Sequence, residues 1–272
     1  MKKIISLALA VMLLVTSLFA FTSCGNKYDD LKIVDLGLEK EYFGIAFRSG
    51  SDMTRKVEDI TLQLIKDGTL EELSEKYEVG AVDEKDYVPK ADANATSGDW
   101  AKIKARGKLI IGITDYKPMD YKDDDGNWIG FDADYARAVC EKLGVTAEFK
   151  EIEWDNKLIS LAAGEIDCIW NGMTITEAIE VAADCTTPYM YNTQVAVVNK
   201  KNADKYTDLK SLAGVSIAAE GGSAGEAVIT GDASLKPGLK SVTAQTDAIL
   251  EVLSGASEAA IVDLTLAKAL IK

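Results

Sequence analysis

The sequence predicts an α/β protein built from three-layer sandwiches, in which helices cover both faces of mostly parallel sheets. Two observations lead to that class. Short, uninterrupted apolar runs recur along the chain, as expected of strands that are buried on both faces. Between them lie longer segments whose apolar residues recur every three to four positions, which is the period of an amphipathic helix. Regular alternation of the two patterns is typical of α/β folds.

The clearest strand–helix pair begins at residue 108. The segment 108–114, KLIIGIT, has the composition of a buried strand. In the next long segment, apolar side chains recur every four residues on one helical face, which ends at Gly144. These side chains are Phe131, Tyr135, Val139 and Leu143. A second strand, 146–154, leads into a helix that is predicted to begin at Asp155 and to stop at Gly164.

Four more buried strands are predicted in the second half of the chain. They are IDCIWNG at 166–172, TQVAVVNK at 193–200, VSIAAE at 215–220 and EAAIVDL at 258–264. The segment SAGEAVIT opens a helix with a predicted capping box, in which Ser223 accepts first-turn amides and Glu226 lies three residues further on. A last helix is predicted from Thr265 onward.

Charge and composition exclude several functions. The chain has 30 basic and 44 acidic residues, a formal net charge of −14. A surface this acidic repels phosphate backbones, so we expect no nucleic-acid partner. There is no histidine, which excludes Ser-His-Asp and Cys-His catalysis and the commonest zinc sites. We therefore assign no catalytic residue, metal or cofactor.

The first residues predict export. A cationic start, MKK, precedes an apolar run at 4–21 and a small-residue ending before Cys24. This ending resembles a bacterial lipobox, which implies a signal peptide over 1–23, cleavage before Cys24 and a lipid on its thiol. The alternative is an N-terminal membrane anchor, because the run is near the lower length limit of a spanning helix.

The other three cysteines, Cys140, Cys168 and Cys185, are interpreted as buried apolar residues. The alternative is a disulfide between two of them, which an exported protein permits.

Six motifs after residue 108 resemble, in order, those of the extracytoplasmic solute-binding proteins of polar amino acid ABC transporters. They are GITDY, GFDADYARAV, EWDNKLISLAAGEIDCIWNGMTIT, TTPYM, GGSAGE and AAIVDL. The resemblance implies the type II periplasmic binding protein fold, in which two lobes joined by two hinge strands close on a ligand. It implies a receptor held to the outer face of the cell membrane by its lipid. Such a receptor delivers a small polar nitrogenous ligand, an amino acid or an amine, to ABC permease and ATPase subunits.

The order of segments departs from that family. In the family, a hinge strand like EYFGIAFRSGSD and closing helices like VEDITLQLIKDGTLEELSEKY come after AAIVDL, whereas here they occupy 41–77. The chain therefore resembles a circular permutation of the family, and permutation is tolerated where chain termini lie close together. The expected parts are lobe 1 at 44–83 and 100–191, lobe 2 at 27–43 and 196–272, hinges near 43–44 and 192–195, and a linker at 84–99.

The resemblance implies four ligand contacts in lobe 1. Trp154, before a predicted helix, and Tyr116, after a strand, are expected to cover the ligand, although each has a simple packing role as its alternative. The Gly172 carbonyl is expected to accept a hydrogen bond from a ligand amine. The hydroxyl and amide of Thr174 are expected to bind a carboxylate. Trp170, inside a strand, is interpreted as a core residue.

Lobe 2 supplies the other expected contacts. Gly222 and Ser223 precede a helix whose free amides and dipole attract an anion, and Ser223 can serve as an N-cap at the same time. Asp263 ends the strand AAIVD and matches the family's aspartate for the ligand α-ammonium, with a surface aspartate as the alternative.

One departure bears on the ligand. Family members that bind α-amino acids carry an arginine five residues after the threonine, where this chain has Ile179, and Arg137 belongs to an earlier helix. The expected pocket thus holds Asp115, Glu220 and Asp263 without an opposing arginine, which predicts an amine-rich ligand or a weakened grip on ordinary amino acids. Two alternatives stay open. One is a dehydratase or lyase that uses cleft carboxylates such as Asp115 and Glu220, and the other is a non-transporting sensor.

Overall fold

The computed structural model describes residues 26–90 and 96–272, which form two α/β lobes joined by a two-stranded ribbon. The predicted signal peptide and Cys24 lie outside the described residues. Within the described ranges, no helix is long and apolar enough to cross a membrane.

The strands are short, and most helices begin directly after a strand or a tight turn. The strands are β1 Leu31–Asp35, β2 Glu41–Phe43, β3 Ala46–Arg48, β4 Lys108–Ile113, β5 Tyr121–Lys122, β6 Trp128–Ile129, β7 Thr146–Glu151, β8 Cys168–Ile169, β9 Ala183–Cys185, β10 Met190–Asn192, β11 Gln194–Asn199, β12 Ile217–Glu220, β13 Leu239–Val242 and β14 Ala259–Asp263. The helices are α1 Met53–Lys66, α2 Thr69–Tyr77, α3 Asp99–Arg106, α4 Phe131–Leu143, α5 Lys157–Ala162, α6 Glu177–Ala182, α7 Ala224–Gly231, α8 Gln245–Ser254 and α9 Leu264–Leu270.

Lobe 1 is built on a five-stranded sheet with the order β7–β4–β8–β3–β9. Strand β4 runs parallel to β7 and β8, while β3 runs antiparallel to β8 and β9. The core against this sheet is aromatic, and the rings of Tyr135 and Trp170 meet edge to face with centroids 4.7 Å apart. Trp170 is fully buried, which confirms its interpretation as a core residue.

Lobe 2 is built on a second five-stranded sheet with the order β1–β11–β14–β12–β13. Strand β1 pairs antiparallel with β11, and β11 pairs antiparallel with β14. The early strand β1 therefore lies in the same sheet as the late strand β14. The side chain of Asn26 also donates a hydrogen bond of 2.9 Å to the Leu270 carbonyl, so the first described residue lies beside the last helix.

The ribbon between the lobes consists of β2 and β10, which pair antiparallel with Glu41 opposite Asn192 and Phe43 opposite Met190. After β2 the chain enters lobe 1 as β3, and after β10 it enters lobe 2 as β11. The ends of this ribbon adjoin the cleft, because an isolated bridge pairs Phe43 with Thr174.

Each five-stranded sheet is mixed, because one strand runs antiparallel to the other four: β3 in lobe 1 and β11 in lobe 2. The prediction of mostly parallel sheets therefore holds except at these two strands, each of which enters its lobe from the ribbon. The strand predicted at 166–172 is also shorter, because the backbone turns away after Ile169 and Gly172 adopts a positive φ of 54°. Cys140, Cys168 and Cys185 are buried and free, as their apolar surroundings suggested.

Candidate ligand-binding cleft

A cavity of about 360 Å³ lies between the two lobes, next to the ribbon. Lobe 1 contributes the ends of β4 and β8, the turn before α5 and the start of α6. Lobe 2 contributes the ends of β12 and β14 and the start of α7. The lining residues used below are Tyr116, Trp154, Asp155, Lys157, Asn171, Gly172, Thr174, Ile179, Glu220, Gly222, Ser223, Glu226, Gln245 and Asp263. The sheets thus present the carboxyl ends of their strands to the cavity, where ligands bind in open α/β sheets.

Eight of the nine residues expected at the site line this cavity; Asp115 does not. Its side chain is exposed, whereas the neighbouring Thr114 and Tyr116 are buried. Successive side chains at a strand end point to opposite sides, and Thr114 is held inward by hydrogen bonds from its amide and hydroxyl to Asn171 Oδ1. The structure therefore does not bring Asp115 and Glu220 together across the cleft.

The floor of the cleft on the lobe 1 side is formed around Gly172. A Cβ at this position would lie 2.6 Å from the Tyr116 ring, so only glycine permits both the close contact and the positive φ. The Gly172 amide donates a 2.6 Å hydrogen bond to Asp132 below the floor. The Thr174 hydroxyl donates to Glu41 on the ribbon at 3.2 Å, so it is already tied to the hinge region.

Asp263 is almost fully satisfied by the protein itself. Its Oδ1 accepts hydrogen bonds of 2.6 Å from both Asn192 and Gln194, and its Oδ2 accepts one of 2.5 Å from Gln245. Burial raises the pKa of Asp263 to about 6, while the hydrogen bond from Gln245 acts in the opposite direction. The Tyr116 hydroxyl is fully buried, and its pKa is raised well above the usual value by burial and by the nearby Asp263 charge.

Glu220 lines the same cavity but is left incomplete. It is 3% exposed, and its Oε1 has no hydrogen-bond partner among the described residues. Burial and then the charge of Asp263 raise the pKa of Glu220 to about 8, although the ammonium of Lys157 opposes them. A buried acceptor without a partner is costly, so this oxygen is an unfilled position in the cleft, together with the buried Tyr116 hydroxyl, which also has no partner among the described residues.

Lys157 is a cleft residue that was not predicted from the sequence. Its ammonium donates to the Trp154 carbonyl at 3.1 Å and, across the lobes, to the Gly222 carbonyl at 2.8 Å. It also lies 4.7 Å from the centroid of the Trp154 ring. The protein's own ammonium therefore packs against the ring that was expected to cover the ligand. Burial lowers the pKa of Lys157, while the charge of Glu220 raises it.

The start of α7 is also occupied from within. Ser223 Oγ accepts a hydrogen bond from the Glu226 amide at 3.1 Å, as the predicted N-cap requires. The Glu226 carboxylate accepts from the Gly222 amide at 2.8 Å, one residue earlier than a standard capping box. One of the amides expected to attract a ligand anion is thus bound to a carboxylate of the protein.

The cavity is strongly acidic. Four carboxylates and one ammonium line it, a formal charge of −3 when all are ionised. They are Asp155, Glu220, Glu226, Asp263 and Lys157. Ile179 lines the cavity from α6 and is 6% exposed, and the lining residues that the structure describes include no arginine. The cleft therefore favours a ligand with positive charge.

Two mixed-sheet lobes, a connecting ribbon and a polar cleft between the strand ends define a solute-binding protein of the type II periplasmic class. Residues 109–270 match the profile of the bacterial extracellular solute-binding proteins, family 3. The chain belongs to that family.

The curated relatives match part of the chain. The L-cystine-binding protein TcyJ of Escherichia coli (strain K12) is 36% identical over 109 residues, which are 40% of this chain and 41% of TcyJ. The L-arginine-binding protein of Pseudomonas aeruginosa is 38% identical over 104 residues, 37% of this chain and 40% of that protein. The chain thus spans about two fifths of the length of these relatives.

Solved structures match over a longer range. The arginine-bound form of truncated ArgBP from T. maritima superimposes with a TM-score of 0.60 and 31% identity, covering 62% of this chain and 79% of that chain. The ancestral amino acid-binding protein AncCDT-1, described as a precursor of cyclohexadienyl dehydratase, gives a TM-score of 0.59 and 34% identity, covering 63% and 76%. Both likenesses support the fold described above.

Proposed function

We propose that the protein is an extracytoplasmic receptor that binds a small amino acid or amine with a cationic side chain and delivers it to an ABC permease. The observation that carries this proposal is the Oε1 of Glu220, which has no partner among the described residues, inside a cavity whose formal charge is −3 when all its groups are ionised. A ligand ammonium or guanidinium would give this oxygen a charge-assisted hydrogen bond, which is stronger than a neutral one. An acidic ligand would instead add a further unpaired negative charge.

The other end of the ligand has two partners in this proposal. Asp263 is positioned by three side-chain amides to receive an α-ammonium. Lys157 uses two of its three N–H groups within the protein, which leaves one for a ligand carboxylate. This lysine is a weaker substitute for a bidentate arginine, which position 179 lacks. Relatives named for arginine make L-arginine the first ligand to test.

An enzyme of the dehydratase or lyase type is less well supported. The two carboxylates that such chemistry was expected to use are separated, because Asp115 is exposed outside the cavity. The matched relatives are named as binding proteins. We therefore assign the cleft to binding. A non-transporting sensor would use the same site and differs only in its partner.

The test is a thermal-shift panel of L-arginine, L-histidine, L-cystine, putrescine and L-glutamate, followed by small-angle scattering with each compound that binds. We expect the cationic compounds to stabilise the protein and to reduce its radius of gyration, because hinge-linked lobes close on ligand. Stabilisation by L-glutamate alone would contradict the proposal. The proposed lipid anchor is tested separately, since Cys24→Ser should release the protein from the membrane fraction.

We also propose that the chain is circularly permuted relative to its family. The proposal is supported by β1 in the sheet of lobe 2, by β3 between β8 and β9 in lobe 1, and by the contact of Asn26 with Leu270. A rearranged chain in which 26–83 follows Lys272 should fold and bind as the original does. A rearranged chain that does not fold would argue that the present order is required.

A further inference from the structure

Below the cleft floor, two buried carboxyl groups of lobe 1 accept hydrogen bonds from the consecutive residues Asn171 and Gly172. Asp120 and Asp132 are 0% and 1% exposed. Each leaves its Oδ1 without a hydrogen-bond partner among the described residues. Neither group lines the cavity, and ligand binding as described above does not use them.

Their other oxygens hold the floor of the cleft. Asp132 Oδ2 accepts from the Gly172 amide at 2.6 Å and from the Tyr189 hydroxyl at 2.8 Å. Asp120 Oδ2 accepts from the Asn171 side chain at 2.8 Å. The two carboxyl groups thus fix two consecutive residues that line the cavity. The backbone of Asp120 also exchanges hydrogen bonds with that of Tyr116, a third lining residue.

The surroundings cannot accommodate two negative charges at this place. Burial raises the pKa of Asp120 well above its usual value, and the charge of Asp132 raises it further. Burial raises the pKa of Asp132 to about 7, while the Gly172 amide, the Tyr189 hydroxyl and the Trp170 indole lower it. The other ionisable groups that act on the pair or respond to it are Arg137, Asp134 and Tyr135 on α4, Cys168 on β8, and Tyr116 and Tyr189. Of these only Arg137 is cationic, and its guanidinium is bound to Asp134.

We propose that Asp120 and Asp132 are positioning residues that share one proton at neutral pH and thereby fix Asn171 and Gly172 for ligand binding. Asp120 carries the proton and donates it toward Asp132, which stays ionised and accepts from Gly172 and Tyr189. The single proton then gives both Oδ1 atoms a partner, because Asp120 Oδ1 donates it and Asp132 Oδ1 accepts it. Two interacting carboxyl groups that cannot both ionise characteristically titrate as a pair. The consequence for binding rests on the proposed function of the cleft.

The shared proton is tested without any ligand by infrared spectroscopy at pH 8. Glu220→Gln serves as the background, because Glu220 is a second buried group that retains a proton near that pH. We expect the carbonyl band of a protonated carboxylic acid in this background and its loss when Asp120→Asn is added. A band that persists after Asp120→Asn, or no band in the background, would overturn the proposal.

The positioning role is tested by two further variants and their control. Asp120→Asn replaces the protonated acid by a neutral amide, whereas Asp132→Asn removes the charge that accepts the Gly172 amide. We expect the Gly172 amide proton resonance to move upfield in Asp132→Asn and to stay in Asp120→Asn and in the exposed control Asp124→Asn. With L-arginine as the probe, Asp132→Asn should weaken binding about tenfold and Asp120→Asn less than about threefold.

Equal upfield shifts in the two variants would contradict the assignment of the proton to Asp120. An unmoved Gly172 resonance in Asp132→Asn would overturn the positioning role. If L-arginine does not bind the unmodified protein, the proposed function fails, while the infrared and resonance measurements still decide the carboxyl pair. The failure of one proposal is therefore distinguishable from the failure of the other.

Discussion

Two strand ends of lobe 2 present buried carboxylates to the same cavity, and the protein treats them differently. Asp263, at the end of β14, accepts hydrogen bonds from three side-chain amides. Glu220, at the end of β12, leaves one oxygen unpartnered. Burial raises the pKa of both groups, to about 6 for Asp263 and to about 8 for Glu220. The oxygens of the first carboxylate thus have hydrogen-bond partners within the fold, whereas the second carboxylate gains a full set of partners only from a ligand.

The comparison separates a structural role from a recognition role. Amide donors that converge on Asp263 connect the ribbon, β11 and α8, because Asn192, Gln194 and Gln245 belong to these elements. Within the part of the chain that the structure describes, Glu220 has no comparable set of donors, and the nearby ammonium of Lys157 is engaged with two carbonyls. We therefore expect changes at Asp263 to alter folding and binding together, and changes at Glu220 to alter mainly the preference for ligand charge.

The largest effect is expected from Asp263→Ala. Three buried amide donors lose their acceptor, and a single unsatisfied buried group costs about 1–3 kcal/mol, part of which water entering the cleft offsets. We expect the free energy of unfolding to fall by about 2–4 kcal/mol and ligand binding to be lost. Urea denaturation measures the change, with the exposed Asp247→Ala on α8 as the control. A loss no greater than that of the control would show that Asp263 is not part of the framework.

The next effect concerns pH and Glu220. The pKa of this group is raised from 4.5 to about 8 in the folded protein, so the folded state binds its proton more tightly than the unfolded state. The associated stability is fully present below pH 4.5 and is lost as the pH rises to about 8. Glu220→Gln should remove this decline and leave the ligand-free protein about 1–3 kcal/mol more stable than the wild type at pH 8. Urea denaturation of the wild type and of Glu220→Gln at pH 5 and pH 8 measures the free energies of unfolding. The same pH dependence in both proteins would contradict the raised pKa.

A smaller effect is expected from Lys157→Met. The variant loses the hydrogen bond between the lobes to the Gly222 carbonyl and the only ammonium among the described lining residues. We expect L-arginine to bind about tenfold more weakly, because a hydrogen bond to a charged group is worth about 1.5–3 kcal/mol. Putrescine, which has no carboxylate, should bind as before or better. Calorimetry of Lys157→Met and of the exposed control Lys201→Met measures both affinities. Equal losses of affinity for L-arginine and putrescine would mean that Lys157 acts only by holding the two lobes closed.

The smallest effect is expected from Ile179→Arg, which restores the arginine that the family's amino acid receptors carry. The new guanidinium would enter a cavity with a formal charge of −3, so part of its charge would be used by the protein's own carboxylates. We expect binding of L-glutamine to improve by about threefold to tenfold and binding of L-glutamate to become measurable. Calorimetry of the wild type and of Ile179→Arg measures the gain. No change for either compound would mean that position 179 does not face the ligand carboxylate.

Much of the fold could be predicted because long segments carry strong periodic signals. Strand β4 and helix α4 lie within a residue or two of their predicted bounds, since β4 is a nearly continuous apolar run and α4 combines a four-residue apolar repeat with a stop at Gly144. The ribbon strand β10 and helix α6 were not predicted. Both are short, and β10 in addition depends on a partner strand far along the chain, with Tyr42 opposite Tyr191.

The site was predictable where a residue type follows from its local position. Ser223 at a helix start and Asp263 at a strand end are of this kind. Asp115 was misplaced because two neighbouring residues at a strand end face opposite sides, and the motif alone does not say which one faces the cleft. Lys157 was missed because its partner Gly222 is 65 residues away and belongs to the other lobe. No local pattern encodes a contact of that kind.

The central claim is that the free oxygen of Glu220 selects a positively charged ligand, and titration calorimetry of the wild type and Glu220→Gln tests it most directly. L-arginine, putrescine and L-glutamate are titrated at pH 8.5, where the Glu220 carboxylate is largely ionised. We expect the wild type to bind the two cations and not L-glutamate, and Glu220→Gln to bind the cations about tenfold to a hundredfold more weakly. Tight binding of L-glutamate by the wild type, or unchanged binding of both cations by Glu220→Gln, would contradict the claim.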